Sequence, residues 1–506
     1  MNVSFFQKYA IINVNINQLN INSHIKDEIM ALPNTHFGAD YINRLLGNGR
    51  KHIFFAGIGG VSMNALAHVS HLMGHRVSGY DRSESDITRK LEAMGVTVYY
   101  EADGAHMADC DALVYTVAMP EDNPEYVYAG EHGIPRISRA DFLGYIMTGF
   151  AKRIGISGTH GKSTTTGMIS RILTYSEVRP TVFNGAAMKE SGTVDIIGKH
   201  DYFAFEACEY MDSFLDFNPS TAVVLNIELD HLDYFKSIEQ IVGSFKKFIN
   251  ITGENGYAIV NRNDGNCMKA VEGYAGHLVT FGRNNPDADY FSGNEGECGG
   301  YPVFDLMAKG KKEKIARVQL AVPGEHLIAD ALAAFAAAVT NGIPADKAAK
   351  GLTLYEGICR RMEKICVTSS GANLYTDYAH HPTEIAASIA GARKICPGKL
   401  NLIFQPHTFS RTADLFDEFV EAFVNCSADE IVLCDIYPAR ETNIYGVSSD
   451  MLAEKIAAGG KKCSVIHTFE ETAAYADRIS GNGDMILVMG AGDVIKVADL
   501  LGELYK

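Results

Sequence analysis

The chain has 506 residues, with 45 Lys and Arg against 61 Asp and Glu and 47% apolar residues. That length implies two to four domains with separate cores, and a formal charge of −16 argues against broad nucleic-acid binding, because an acidic surface repels a phosphate backbone. Ten cysteines without a C-x-x-C pair argue against zinc ribbons and thioredoxin-like centres and suit a reducing cytosol, and no apolar run approaches a membrane span.

Residues 1–30 are rich in Asn and Ile (IINVNINQLNIN). They lack the basic start and apolar core of a secretion signal. Met30 is a candidate native start, and 1–48 reads as an N-terminal extension of unknown role. The first regular unit opens at His52: HIFFA is a strand, GIGGVS a glycine turn, and the spacing from Met63 to Met73 is helical. HRVSGYD, VTVYY, ALVYTVAM and GIPRIS supply further strands, with the helix ITRKLEAMG among them. Such alternation predicts a parallel sheet with Rossmann-like winding over 49–150.

A second series occupies 151–355. RIGIS is a strand, GTHGKS a loop and TTTGMISRILTYS a helix; YFAFEA and TAVVLNI are strands. GNEGECGGYP (293–302) reads as a surface turn, and the alanine-rich run Ala329–Val339 as a buried helix. A third series occupies 356–506. Its strands are NLYTDYA, KLNLIFQ, EIVLCDIY and DMILVMG, and its helices EIAASIAGARKI and TADLFDEFVEAFV. Three α/β domains follow.

The strongest chemical signal is Gly158-Thr159-His160-Gly161-Lys162-Ser163, between a strand and a helix. Glycines let backbone N–H groups approach phosphates, and the helix N-terminus adds positive potential. Lys162 reaches terminal phosphates and Ser163 a magnesium ion. The usual loop has a further glycine five residues before Gly161, where Ile156 stands. The turn Gly57-Ile58-Gly59-Gly60 is weaker. It suits a dinucleotide with Asp81 on a ribose, another diphosphate ligand, or tight packing alone. Glu206 and Glu209, and Asn226 to Asp233, place carboxylates and His231 at strand ends beside the phosphate loop, as a divalent metal site requires. Arg360-Arg361, Asp377 to Pro382 and Gln405 to Thr412 put Arg and His at strand ends, where anionic substrates bind.

Taken in order, HIFFAGIGGVSMNALA, GTHGKSTTT, NIELDHLD, RRMEKI, DYAHHPTEI, FQPHTFSRT, YPARE and MGAGD resemble motifs of the Mur ligases of peptidoglycan synthesis. The resemblance runs from about residue 50 to the C-terminus. It implies an α/β protein of three domains: an N-terminal Rossmann-like domain for a UDP-sugar, a central P-loop ATPase-like domain, and a C-terminal Rossmann-like domain for an amino acid. It also implies ATP-dependent joining of L-alanine to UDP-N-acetylmuramate through an acyl phosphate, with ATP and Mg2+ (or Mn2+) as cofactors. A cytoplasmic monomer or homodimer with no nucleic-acid partner is expected.

Carried over residue by residue, the resemblance makes Lys162, His231 and Glu206 catalytic. Gly158, Thr159, His160, Gly161, Lys162, Ser163, Thr164, His326, Asp330, Arg361 and Asp377 would bind ATP. Ser163, Glu206 and His231 would hold the metal. Gly57, Ile58, Gly59, Gly60 and Asp81 would bind the UDP-sugar, and Tyr378, His380, His407 and Arg411 the amino-acid and muramoyl carboxylates. The chain departs from the family at His326-Leu327-Ile328-Ala329-Asp330, where H-N-x-x-N is common, and Cys208 and Met211 stand in a usually more acidic stretch. The related murein tripeptide ligase shares these motifs. An NAD-dependent oxidoreductase built on GIGG leaves the phosphate loop unexplained, and a nucleotide-binding scaffold without activity is a third alternative.

Overall fold

Short apolar runs closed by glycine or polar turns form three separate sheets in the computed structural model, which describes residues 32–503 apart from 48, 200, 232, 233 and 440. The expectation for Met30 lies outside the described residues, as do Leu232 and Asp233 of the acidic run.

The first domain opens with α1 (Ala39–Leu46). Its strands are β1 (His52–Ala56), β2 (Arg76–Tyr80), β3 (Thr97–Tyr99), β4 (Ala112–Tyr115) and β5 (Arg136–Ser138), all parallel in the order β3-β2-β1-β4-β5. β1 and β4 are buried at every position, as central strands covered on both faces must be. The connecting helices are α2 (Val61–Leu72), α3 (Asp86–Ala93), α4 (Pro124–Glu131) and α5 (Arg139–Met147). The run ALVYTVAM is strand only to Tyr115 and then turns.

The boundary expected at residue 48 is corrected. Leu32, Ile42 and Leu46 are buried in the first domain, Tyr115 Oη donates to Pro33 O, and Asp141 accepts from Thr35 Oγ1 and from the backbone of Phe37 and Gly38. Polar sequence concealed this attachment, because among the described residues only three buried apolar anchors carry it.

The central domain contains β6 (Lys152–Ser157), β7 (Thr181–Met188), β8 (Thr193–Ile196), β9 (Tyr202–Glu206), β10 (Thr221–Val224), β11 (Tyr257–Asn261), β12 (His277–Arg283), β13 (Tyr290–Cys298), β14 (Tyr301–Ala308) and β15 (Ala316–Gln319). They make a ten-stranded sheet, β15-β14-β13-β12-β11-β10-β6-β9-β7-β8, with antiparallel pairs only at its two ends. The turn expected between strands at 293–302 is present but is shortened to Gly299 and Gly300, since β13 runs through Cys298 and β14 opens at Tyr301. Cross-strand hydrogen bonds override the weak strand propensity of its glycines. The helices are α6 (Lys162–Tyr175), α7 (Ile238–Asn250), α8 (Gly265–Ala270), α9 (Leu327–Thr340) and α10 (Ala345–Thr353). α9 is buried along most of its length, which its alanines allow by letting it press close to the sheet.

The third domain has β16 (Glu363–Val367), β17 (Asn373–Asp377), β18 (Leu400–Phe404), β19 (Glu430–Leu433), β20 (Cys463–Val465) and β21 (Met485–Met489), in the order β16-β17-β21-β18-β19-β20 with β16 antiparallel. Its helices are α11 (Pro382–Ile395), α12 (Phe409–Asp414), α13 (Phe416–Asn425), α14 (Ser449–Ala458), α15 (Phe469–Ile479) and α16 (Ile495–Glu503). The single helix read in TADLFDEFVEAFV is two, α12 and α13, parted at Leu415.

Apolar packing crosses both domain boundaries. Phe142, Leu143, Ile146 and Met147 of α5 share a cluster with Phe203, Phe205, Phe214 and Phe217 of the central domain. Leu327 and Ile328 of α9 share another with Ile385 and Ile389 of α11. Among the described residues no helix is long and apolar enough to cross a membrane.

Candidate active site

The phosphate-loop segment leaves the buried end of β6 and turns into α6 at Gly161. That residue has φ 83°, and a Cβ there would lie 2.6 Å from Asp330 Oδ1; conformation and close approach both require glycine. Lys162 folds back over the turn. Its Nζ donates to Gly158 O (2.5 Å) and Thr159 O (3.1 Å), and it pairs with Glu209 Oε2 at 3.1 Å. Burial opposes the ammonium charge, but the Glu209 carboxylate outweighs it and raises Lys162 above the ordinary lysine range. Ser163 Oγ donates to Glu206 Oε2 at 2.7 Å, which also accepts from Gly185 N at 3.0 Å.

A cavity of about 400 Å³ opens over this loop. Its central-domain wall carries Thr159, His160, Gly161, Lys162, Ser163, Thr164, Glu206, His231, His326 and Asp330. The third domain closes it with Arg361, Asp377, His380, His381, Glu384 and Arg411. Carboxylates and cations therefore meet where two sheets present their strand ends, the usual place for a ligand crevice in α/β proteins. Non-glycine residues with left-handed backbones gather here: His231 (φ 55°), Arg360 (φ 59°), Met362 (φ 45°) and Thr408 (φ 66°). Such strain persists only where surrounding structure enforces it.

His160 bridges the two domains. Its Nε2 lies 3.4 Å from Glu228 Oε2, and its Nδ1 lies 3.3 Å from Glu384 Oε1 at the start of α11. Burial pulls the imidazole down, yet the pull of these two carboxylates overcomes it and holds His160 up at about 9. Glu384 is not among the expected site residues; the signal for it in the sequence is a carboxylate at the start of the predicted helix EIAASIAGARKI. Burial takes His380 down to about 4 against the opposing pull of Glu384, and His326 down to about 4. Both are neutral at neutral pH.

Asp377 is fully engaged within its own domain, where Ser388 Oγ donates to Oδ1 at 3.2 Å. Oδ2 accepts from Met362 N (2.7 Å) and Oδ1 from Ala379 N (2.8 Å), so it shapes the turn that carries Arg361. Asp330 sits beneath the phosphate loop, and burial pushes it up to about 7 although Thr165 and Arg361 pull it down.

The expected metal residues are partly assembled. Ser163 and Glu206 touch, whereas His231 Nε2 points to Glu209 Oε1 (3.9 Å) and Asp230 Oδ2 (4.0 Å). Hydroxyl and carboxylate oxygens fit the hard-ligand preference of magnesium, so the residues present suit that ion.

Tyr378 and His407 stand behind the cavity wall. Arg360 and Arg361 lie over the Tyr378 ring at 4.8 and 5.3 Å. His407 Nδ1 accepts from Arg411 Nη1 at 3.2 Å. These two side chains hold the arginines, and Arg361 and Arg411 face the cavity.

Gly57, Ile58, Gly59, Gly60 and Asp81 lie outside that cavity, at the carboxyl ends of β1 and β2. The Ile58 side chain is fully buried, so this turn presents backbone. Asp81 Oδ2 accepts from Gly59 N at 2.8 Å and braces the turn.

Family models match the chain along most of its length. Residues 52–151 match "Mur ligase family, catalytic domain", 156–338 "Mur ligase middle domain" and 360–492 "Mur ligase, glutamate ligase domain". The chain is 42% identical over 458 residues to the UDP-N-acetylmuramate–L-alanine ligase of Clostridium novyi, covering 90% of this chain and 98% of that one. It is 42% identical over 457 residues to the enzyme of the same name from Acetivibrio thermocellus, covering 90% and 96%. Its structure is similar to that of the UDP-N-acetylmuramate–alanine ligase of Thermotoga maritima, with a TM-score of 0.74, 25% identity, and 90% and 99% coverage.

Proposed function

The chain belongs to the Mur ligase family, and from that premise we propose that it joins L-alanine to UDP-N-acetylmuramate at the expense of ATP, giving UDP-N-acetylmuramoyl-L-alanine, ADP and phosphate. One observation carries the reading: a phosphate loop with Lys162 faces Arg361 and Arg411 of another domain across a single cavity. Relatives of that name at 42% identity over 90% of the chain support it.

The chemical task is to bring anions together. The lactoyl carboxylate of the sugar nucleotide attacks the γ-phosphorus of ATP, the bond to the β,γ-bridging oxygen breaks, and ADP leaves. Lys162 and the loop N–H groups offset the repulsion and take up charge in the transition state. The amine of L-alanine then attacks the acyl phosphate carbon, phosphate departs, and the amine proton passes to a base or water. Arg361 and Arg411 supply fixed positive charge for the carboxylates, with Tyr378 and His407 holding them in place. His380 is neutral, so it accepts or donates one hydrogen bond without adding charge.

Ser163 and Glu206 would hold a magnesium ion, and His231, which faces Glu209 and Asp230, would have to turn to join them. That ion, when bound, neutralises phosphate charge. Alignment of carboxylate and phosphate supplies on the order of 7–11 kcal/mol, and closure of the third domain excludes the water that destroys acyl phosphates.

Phosphate release with UDP-N-acetylmuramate and a panel of amino acids tests the reading. Turnover is expected to need the sugar nucleotide and L-alanine together. Coupling of a preformed tripeptide but no single amino acid would instead assign the chain to the murein peptide branch, and ATP-independent NADH binding would remove it from ligase chemistry.

A further inference from the structure

Arg139 is the first residue of α5, directly after β5. In the parallel first sheet this places it at the same carboxyl edge as the glycine turn after β1 and Asp81 after β2. Three other arginines of that domain have partners: Arg76 pairs with Asp109, Arg89 with Glu84 and Asp86, and Arg136 lies over Tyr126; Arg44, Arg50 and Arg82 are exposed to solvent. Arg139 has no hydrogen bond or ion pair among the described residues. The carboxylate nearest in sequence, Asp141, is engaged with Thr35, Phe37 and Gly38.

Nor is Arg139 a solvated surface residue. It is only partly exposed, and burial lowers its guanidinium below the ordinary arginine range, with Cys208 pulling weakly the other way. Cys208 follows β9, lies next to Glu209 in sequence and lines the cavity over the phosphate loop. Arg139 thus stands at the strand-end edge of the first domain, on the helix that packs against the central domain. An enclosed guanidinium without a counter-charge is costly to keep, and a ligand anion is what relieves it.

We infer that Arg139 is a binding residue for an anionic group of the sugar nucleotide, gripping either its diphosphate or its lactoyl carboxylate through the planar guanidinium fork. The inference rests on the function proposed above and adds a residue that the motifs did not mark. Both anions suit the fork geometry, and a ligand that spans from the glycine turn to the γ-phosphate must cross this edge.

Calorimetric titration of the full chain and of Arg139→Met with UDP-N-acetylmuramate and with UDP-N-acetylglucosamine, which carries the diphosphate but no lactoyl acid, tests this. Removing a hydrogen-bonded charge partner should weaken the muramate by roughly 10- to 100-fold. Equal loss for both sugars assigns the diphosphate; loss for the muramate alone assigns the carboxylate. The ligand-free variant should melt no lower than wild type, since no partner in the protein is orphaned. Should Met be too disruptive, Arg139→Gln serves for the same comparison. Unchanged affinity for both sugars in a folded variant overturns the inference, with the function intact. A wild-type chain that binds neither sugar overturns the function reading and the inference with it.

Discussion

Lys162 has two obligations that a substitution separates. Lys162→Ala should abolish phosphate release while sugar-nucleotide binding survives, as measured by a coupled assay and by calorimetry. It should also destabilise the chain by about 3–5 kcal/mol, because fully buried Glu209 loses its counter-ion. Adding Glu209→Gln should recover most of the stability and none of the turnover; a double variant as unstable as Lys162→Ala would show that Glu209 is not the cause. Asp330 offers a pH test. Unfolded, it is ionised above about pH 4; folded, it keeps its proton up to about 7. The folded state therefore binds more protons in that window, and stability falls as pH rises through it. Asp330→Asn has no such penalty. Its gain in Tm should be larger at about pH 8 than at about pH 5, and an equal gain at both would exclude a buried titrating carboxyl.

Two element contacts hold the domains in register. At the start of α11, Glu384 reaches His160 of the phosphate loop. In Glu384→Gln the His160 imidazole should titrate well below about 9, as NMR of its ring protons reports; an unmoved midpoint would show that the two elements are apart in solution. Losing this contact should also slow turnover more than it weakens ATP binding. On the other side of the central domain, α5 approaches so closely that a Cβ on Gly144 would lie 2.0 Å from Asp216 O. Gly144→Ala must push the helix away, at a cost of about 1–3 kcal/mol by analogy with overpacked cores, and chemical denaturation should register it. A silent substitution would mean that the helix sits farther from the central domain.

At the scale of the molecule, continuity of the apolar clusters predicts how it melts. Phenylalanines of the central domain pack against α5 in one cluster, with ring pairs such as Phe150–Phe203 at 4.8 Å. The first and central domains should unfold as one calorimetric transition, because neither keeps its full core when the other is lost. Two well-resolved transitions for these domains would contradict shared packing. The first and third domains each add a cluster of their own, but the shared clusters tie both to the central domain, so the third domain is expected to melt in the same transition.

The local code was legible wherever one segment suffices. Strand–turn–helix alternation marked the three α/β units, and the glycines, Lys162 and Ser163 marked the phosphate loop, since a tight turn, a cation and a helix N-terminus lie within a few consecutive residues. Distant encounters were not legible. Nothing in DYAHHPTEI shows that Glu384 meets His160, in DYA that Asp377 shapes the turn before β16, or in ISRADF that Arg139 lacks a partner. Those facts depend on which strand ends face each other and on what burial does to a charge, and both are set by packing between residues far apart in the chain. Sequence determined the parts and their chemistry; tertiary structure decided which charges are paired, which are neutral, and which await a ligand.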